Sequence, residues 1–388
     1  MSGVPHRMPS RRSVLGGTLG ALATATTTVG LAPAASAATA GTPVTCGTNN
    51  FGELGDGTRI AHYTAAPVLG LTTVTDLHGG RGHVNALRSD GTVWCWGSNV
   101  EGQCGSGTAT RRILAPQQVP GLTGVSAVET GHYHSLALKG GVVWVWGHND
   151  VGQLGDGTLV QRRIPVQVPG ITDAIALAAG RSMSFVLRPN GTVWGWGLNA
   201  SGQIGDGTTA QRLVPTQVSG LSNIVAIACG RDHSFALDAT GRLFGWGDNL
   251  GGQVGNGTKV NVLVPVLITT GIAEVQAGAD HSYARKSDGT VLAWGRNARS
   301  QLGDGTTTLR TRPVPVQNLT GVVSLGAGRD HGVAVLADGT ARSWGYNVSG
   351  QLGDGTLLSR NRPVQVSGVT GATKAGGGGS AYSVILRS

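Results

Sequence analysis

One phrase, Trp-Gly-x-Asn-x-x-Gly-Gln-Leu-Gly-Asp-Gly-Thr with small variations, returns seven times at intervals of 48 to 50 residues. Its first Gly falls at Gly47, Gly97, Gly147, Gly197, Gly247, Gly295 and Gly345. A period of that length over most of a chain makes stacked supersecondary units, each burying its apolar face against the next. It argues against an enzyme built around one unique pocket, and function must then reside in what differs between copies.

Each copy holds four short β-type runs separated by Gly-rich turns. In the fourth copy they are Val214–Val218, Ile224–Ala228, Ser234–Leu237 and Arg242–Trp246. Short apolar runs bounded by Gly, Asn and Asp read as strands. Four antiparallel strands per repeat are one blade of a β-propeller, an architecture that leaves only short edges. All nine tryptophans lie in the last run of a copy, as in Trp194 and Trp196 or Trp246 alone. Residues two apart on a strand share a face, so each Trp-x-Trp pair points into a blade interface. Spreading this aromatic area around a ring replaces one large core.

The last copy stops at Ser383–Ser388, where every other copy continues into a turn and the Trp strand. Gly41–Asn49 aligns without a gap on Gly91–Asn99 and supplies the absent strand. The expectation is an all-β, seven-bladed β-propeller of four-stranded antiparallel blades over residues 38–388, its ring closed by pairing of the N- and C-terminal strands.

Residues 1–37 read as an export address. Ser10-Arg11-Arg12-Ser13-Val14-Leu15 is a twin-arginine phrase, followed by a weakly apolar run from Val14 to Leu31 and the small-residue cleavage pattern Ala35-Ser36-Ala37. No second run approaches the roughly 20 apolar residues a membrane helix needs. The expected product is a secreted, extracellular monomer without a membrane span. The formal net charge of +9 falls to +6 on removal of Arg7, Arg11 and Arg12, a modest excess that argues only weakly for anionic partners. Cys46, Cys95, Cys104 and Cys229 occupy columns filled elsewhere by Trp, Val, Leu, Gly or Ala, and no CxxC spacing occurs. They read as small apolar filler; neither a redox motif nor a metal site is expected.

The combination Ala-Gly-x-x-His-Ser-x-Ala-Leu, Asp-Gly-x-Val and Trp-Gly-x-Asn-x-x-Gly-Gln-Leu-Gly, as at Ala228–Leu237 and Asp288–Leu302, resembles the RCC1 (regulator of chromosome condensation) repeat over essentially all of residues 38–388. The resemblance implies a seven-bladed propeller that serves as a protein-binding platform. Founding eukaryotic members are guanine-nucleotide exchange factors for a nuclear GTPase; similar secreted actinobacterial members include an inhibitor of β-lactamase. Exchange activity fits poorly with an exported chain.

Strand parity places the Ala-Gly-x-x-His loops and the long loops after Trp-Gly on one rim, and the Asp-Gly turns on the other. Loops on a rigid scaffold commonly carry binding residues, so the long-loop rim is the candidate working face. One arginine set there is Arg81, Arg181, Arg231 and Arg329; a second is Arg112, Arg162, Arg212, Arg310 and Arg360. The expected partner-binding residues are Arg81, Tyr133, Arg181, Arg231, Asp232, Asp280, Arg329 and Asp330. In the resembled family, partner contacts come from the two variable positions before the His. The plainer reading of each such residue is a solvated loop tied by a local ion pair.

No catalytic, cofactor-binding or metal-binding residues are expected. Asp232-His233-Ser234 places an acid, a base and a hydroxyl side by side, but adjacent strand residues face opposite ways and cannot converge as a triad. The column His83, His134, His233, His281 and His331 reads as a hydrogen-bonding, structural set. Gly-x-x-Gly-x-Gly lacks the helix and Lys-Ser/Thr of a phosphate loop. One carboxylate per turn is too few for calcium. Nucleic acid is not an expected partner. Two functional classes remain: a secreted scaffold that binds a protein, inhibiting an enzyme, and a module for an anionic cell-wall polymer or lipid headgroup.

Overall fold

The computed structural model describes residues 40–388; the export address lies outside the described residues. Seven four-stranded antiparallel sheets are arranged as the blades of a propeller. Blade 1 runs Val74–Gly79, His83–Arg88, Val93–Ser98 and Arg112–Gln118, from the strand lining the central channel outwards. Blades 2 to 6 repeat this order over 127–167, 176–217, 224–269, 272–315 and 322–365. Blade 7 has the order His62–Pro67, Thr42–Gly47, Tyr382–Arg387, Ala372–Gly377.

The ring therefore closes by strand pairing, with Thr42 opposite Arg387 and Gly47 opposite Tyr382. The blades are nevertheless offset from the sequence copies by one strand. The run at Val214 pairs with the Trp194 strand of blade 3, not with Ile224. The long loop after Trp-Gly brings the chain straight back along the strand it has just left, and a short antiparallel return wins over pairing with the next copy. Two N-terminal strands, not one, consequently complete the last blade.

The long loop is shaped by its Asn, which is fully buried in all seven copies. Asn199 donates Nδ2 to Asp206 Oδ1 and to the Thr208 and Ala210 carbonyls at 3.0–3.2 Å, and its Oδ1 accepts from Ile204 N at 2.9 Å. One side chain thus satisfies the backbone of a loop that has no ladder of its own. The Gly two residues earlier is required by both conformation and space. Gly197 sits at φ 104°, and a Cβ there would lie 2.4 Å from the Ser182 carbonyl oxygen.

Blades are stitched at the carbonyl of the loop Gln. Gln103 O accepts from Trp146 Nε1 and from Ser135 Oγ, both at 2.8 Å. Trp196, Trp246, Trp294 and Trp344 make the same bond to Gln153, Gln203, Gln253 and Gln301, and Trp96 makes it to Glu53. All six are fully buried. In the seventh interface Cys46 takes the Trp position, its Sγ 3.6 Å from Gln351 O. All four cysteines are free thiols.

Candidate functional site

The histidine column lies inside the blade interfaces, where each ring reaches the next blade. His83 Nε2 is 3.0 Å from Ser135 Oγ, and the pairs His134–Ser184, His233–Ser282 and His331–Ser383 span 2.8–2.9 Å. Each of these serines donates its own proton to a Gln carbonyl, so the imidazole Nε2 must be the donor to the serine. Burial pushes His83, His134, His233 and His281 down to about 3 and His331 to about 4, so all five are neutral. A hydroxyl whose proton is committed, in a sealed interface, cannot be reached as a nucleophile. Sequence reasoning assigned these histidines a structural bond but missed its direction across the ring, because the partners stand 49 to 52 residues apart.

Sequence and structure diverge further along this seam. Gly332 replaces the serine opposite His281, leaving both ring nitrogens of His281 without a partner. Tyr283 fills the gap and donates its hydroxyl to Gln301 O in the serine's place. Tyr382 stands in the His position of blade 7 and bonds the Gly80 and His83 carbonyls at 2.7 and 2.8 Å.

The two arginine sets separate sharply. On the periphery, Arg162, Arg212, Arg310 and Arg360 each donate Nε to the Asp of their own Gly-Asp-Gly turn at 2.7–2.9 Å. These are local braces. Arg112, whose turn has Ser106 in place of Asp, instead lies 5.7 Å over the Phe51 ring.

Arg81, Arg181, Arg231 and Arg329 converge on the ring axis, where with His132 they line the mouth of the central channel. Three carboxylates fix three of the four. Asp232 lies between Arg181 at 3.0 Å and Arg231 at 3.1 Å. Asp280 holds Arg231 at 2.9 Å and Arg296 at 3.6 Å; Asp330 holds Arg299 at 2.8 Å and Arg329 at 3.5 Å. Asp232 and Asp280 are buried, so they present arginines to solvent and do not themselves face a partner. Burial raises Asp280 above the ordinary carboxylate range even beside Arg231. Arg81 has no carboxylate partner and rests 5.4 Å over the half-buried Tyr133 ring. Of the eight residues the sequence nominated, Arg81, Tyr133, Arg181, Arg231 and Arg329 are exposed or half-buried, and Asp232, Asp280 and half-buried Asp330 support the arginines.

Below the mouth a chain of charges bridges three blades. Lys374 of blade 7 pairs with Asp76 of blade 1; His78 lies 3.1 Å from Asp76 and 3.0 Å from Glu129 of blade 2. Burial opposes charge on His78, but Glu129 and Asp76 carry it up to about 10. Among the described residues no helix is long and apolar enough to cross a membrane.

Six of the seven blade interfaces thus carry a Trp-to-carbonyl bond and four a His–Ser bond. Residues 42–385 match the RCC1-like domain, and the chain belongs to that family. Over 99 residues it is 33% identical to the probable E3 ubiquitin-protein ligase HERC6 of Homo sapiens; the match takes in 24% of this chain and 10% of that protein's length. The fold is similar to Prp20p of Saccharomyces cerevisiae, with a TM-score of 0.80 and 24% identity over 89% of this chain and 91% of that one. It is equally similar to human WBSCR16, at a TM-score of 0.80 and 23% identity over 89% of this chain and 100% of that one.

Proposed function

We propose that the protein is an exported, non-catalytic RCC1-type scaffold of the secreted actinobacterial kind, which binds a protein partner through the long-loop rim and inhibits a secreted enzyme. The observation that carries this reading is the division of the arginines. Four of the five on the periphery are tied to their own turns, whereas on the axis Arg181 and Arg231 are held by buried carboxylates, Arg329 by half-buried Asp330, and Arg81 by none. Loops fixed on a rigid ring are pre-organised for binding, since little entropy is lost when they dock. Prp20p, a relative in fold, is described by its binding to Gsp1p and histones, which supports a protein-binding role for the architecture. Tyr133 supplies the aromatic anchor and Arg81 the free charge.

The test is capture from the native culture supernatant with the wild-type protein, an Arg81→Ala/Tyr133→Ala variant and an Asp338→Lys variant on the opposite rim. The expected partner is retained by wild type and Asp338→Lys and lost by the rim variant. Retention by purified cell wall that vanishes at raised salt would replace the protein partner with an anionic polymer, because only long-range charge is screened away.

A further inference from the structure

Four arginines line one small cavity at the channel mouth, and like charges gathered there are eased by an anion between them. We propose that the channel mouth is a binding site for a free multivalent oxyanion of the phosphate class, such as pyrophosphate, gripped by Arg81, Arg181, Arg231 and Arg329. This inference is independent of the protein-partner reading.

Three observations carry it. First, the charges around the mouth do not balance. Six arginines, the four axial ones with Arg296 and Arg299, share only Asp232, Asp280 and Asp330; Asp248, further out, still leaves an excess of two positive charges. Second, the mouth encloses a cavity of about 170 Å³ lined by the four arginines, His132, Ala279 and Gly379. That is room for a small oxyanion, and Ala279 and Gly379 keep two of the seven sides open. Third, His132 on this lining has a buried Nδ1 without a hydrogen-bond partner. Burial, together with the four arginines, pushes His132 down to about 3.

The chemistry selects the ligand class. Guanidinium groups present paired N–H donors that match phosphate oxygens, and three of the four are already oriented by carboxylates, so little ordering remains to be done on binding.

The experiment is calorimetric titration of the protein with pyrophosphate at low salt, repeated on Arg81→Ala/Arg329→Ala and on Arg162→Ala. Removing Arg329 leaves Asp330 paired with Arg299, and Arg81 has no carboxylate to orphan, so the double variant should fold as wild type does. Thermal unfolding verifies that. The expected result is saturable binding at one site per chain, weakened at least about tenfold in the double variant and unchanged in Arg162→Ala, with the His132 ring resonances shifting during titration. Absence of saturable heat up to about 10 mM pyrophosphate overturns the proposal. So does equal binding by wild type and the folded double variant, or equal weakening in Arg162→Ala, which would mean diffuse attraction without a site.

Discussion

His281 offers a way to separate two effects that normally travel together in a buried histidine. In the other four interfaces with a His, the ring bonds a serine of the next blade; at His281 that serine is Gly332 and the ring makes no bond. The chain itself supplies the replacement, since Met183 occupies the same column in blade 3 and is buried there. His281→Met should therefore remove a buried, unpartnered polar group, worth about 1–3 kcal/mol, and gain stability at pH 7.5. It should also change the response to acid. The folded-state pKa of His281 is depressed from 6.5 to about 3, so between those values the unfolded chain binds a proton that the folded chain does not. Stability is full above pH 6.5 and is lost as pH falls towards 3, at about 1.4 kcal/mol per pH unit for each such histidine. At pH 5 the variant should be favoured by about 2 kcal/mol beyond its advantage at pH 7.5. His134→Met is the control. It shares the acid gain but breaks the 2.9 Å bond to Ser184, so at pH 7.5 it should lose about 1 kcal/mol. Guanidinium unfolding followed by tryptophan fluorescence at both pH values reads all four differences. Equal effects of the two variants at pH 7.5, or an unchanged pH slope in both, would refute the reasoning.

Glu53 stands where all six other copies have Gln, and burial raises its carboxyl to about 7. An acid with a raised folded-state pKa costs stability as pH climbs from 4.5 to 7, here by about 3 kcal/mol; Glu53→Gln should therefore stabilise by about that amount at pH 8 and by almost nothing at pH 4.5, as urea unfolding would show. Deleting residues through Gly47 removes the strand between His62–Pro67 and Tyr382–Arg387, and should produce aggregation or loss of cooperative unfolding in scattering and thermal scans; an unchanged transition would contradict closure by pairing. Replacing Arg11 and Arg12 by Lys should halt export if the twin-arginine address is read by its receptor, whereas normal secretion would remove that route.

The ring was legible because its determinants repeat in place: seven copies of one phrase, six opening on Trp-Gly and the first on Cys46-Gly47, strand-length runs between turns, and an N-terminal segment matching what the last copy lacks. The strand offset of the blades was not legible, since the run at Val214 has the same composition whichever neighbour it pairs with. The link from His83 to Ser135 was hidden for another reason. The sequence sets His beside Ser in a copy, but the ring pairs four of the five His with the Ser of the following copy, a proximity created only by packing. At the candidate site, residue type and rim were readable from strand parity, while convergence on the axis was not. Nor could the sequence tell Asp232 and Asp280, which support arginines from within, from Arg81, which has no carboxylate to hold it.

Whether the long-loop rim is the working face is tested most directly by hydrogen exchange on the protein alone and with its captured partner. Amides of the axial loops at 80–82, 131–133, 230–232 and 328–330 should gain protection in the complex, while the turns at Asp90-Gly91 and Asp338-Gly339 on the opposite rim exchange as before. Protection confined to the Asp-Gly turns, with the arginine loops unaltered, would contradict the assignment.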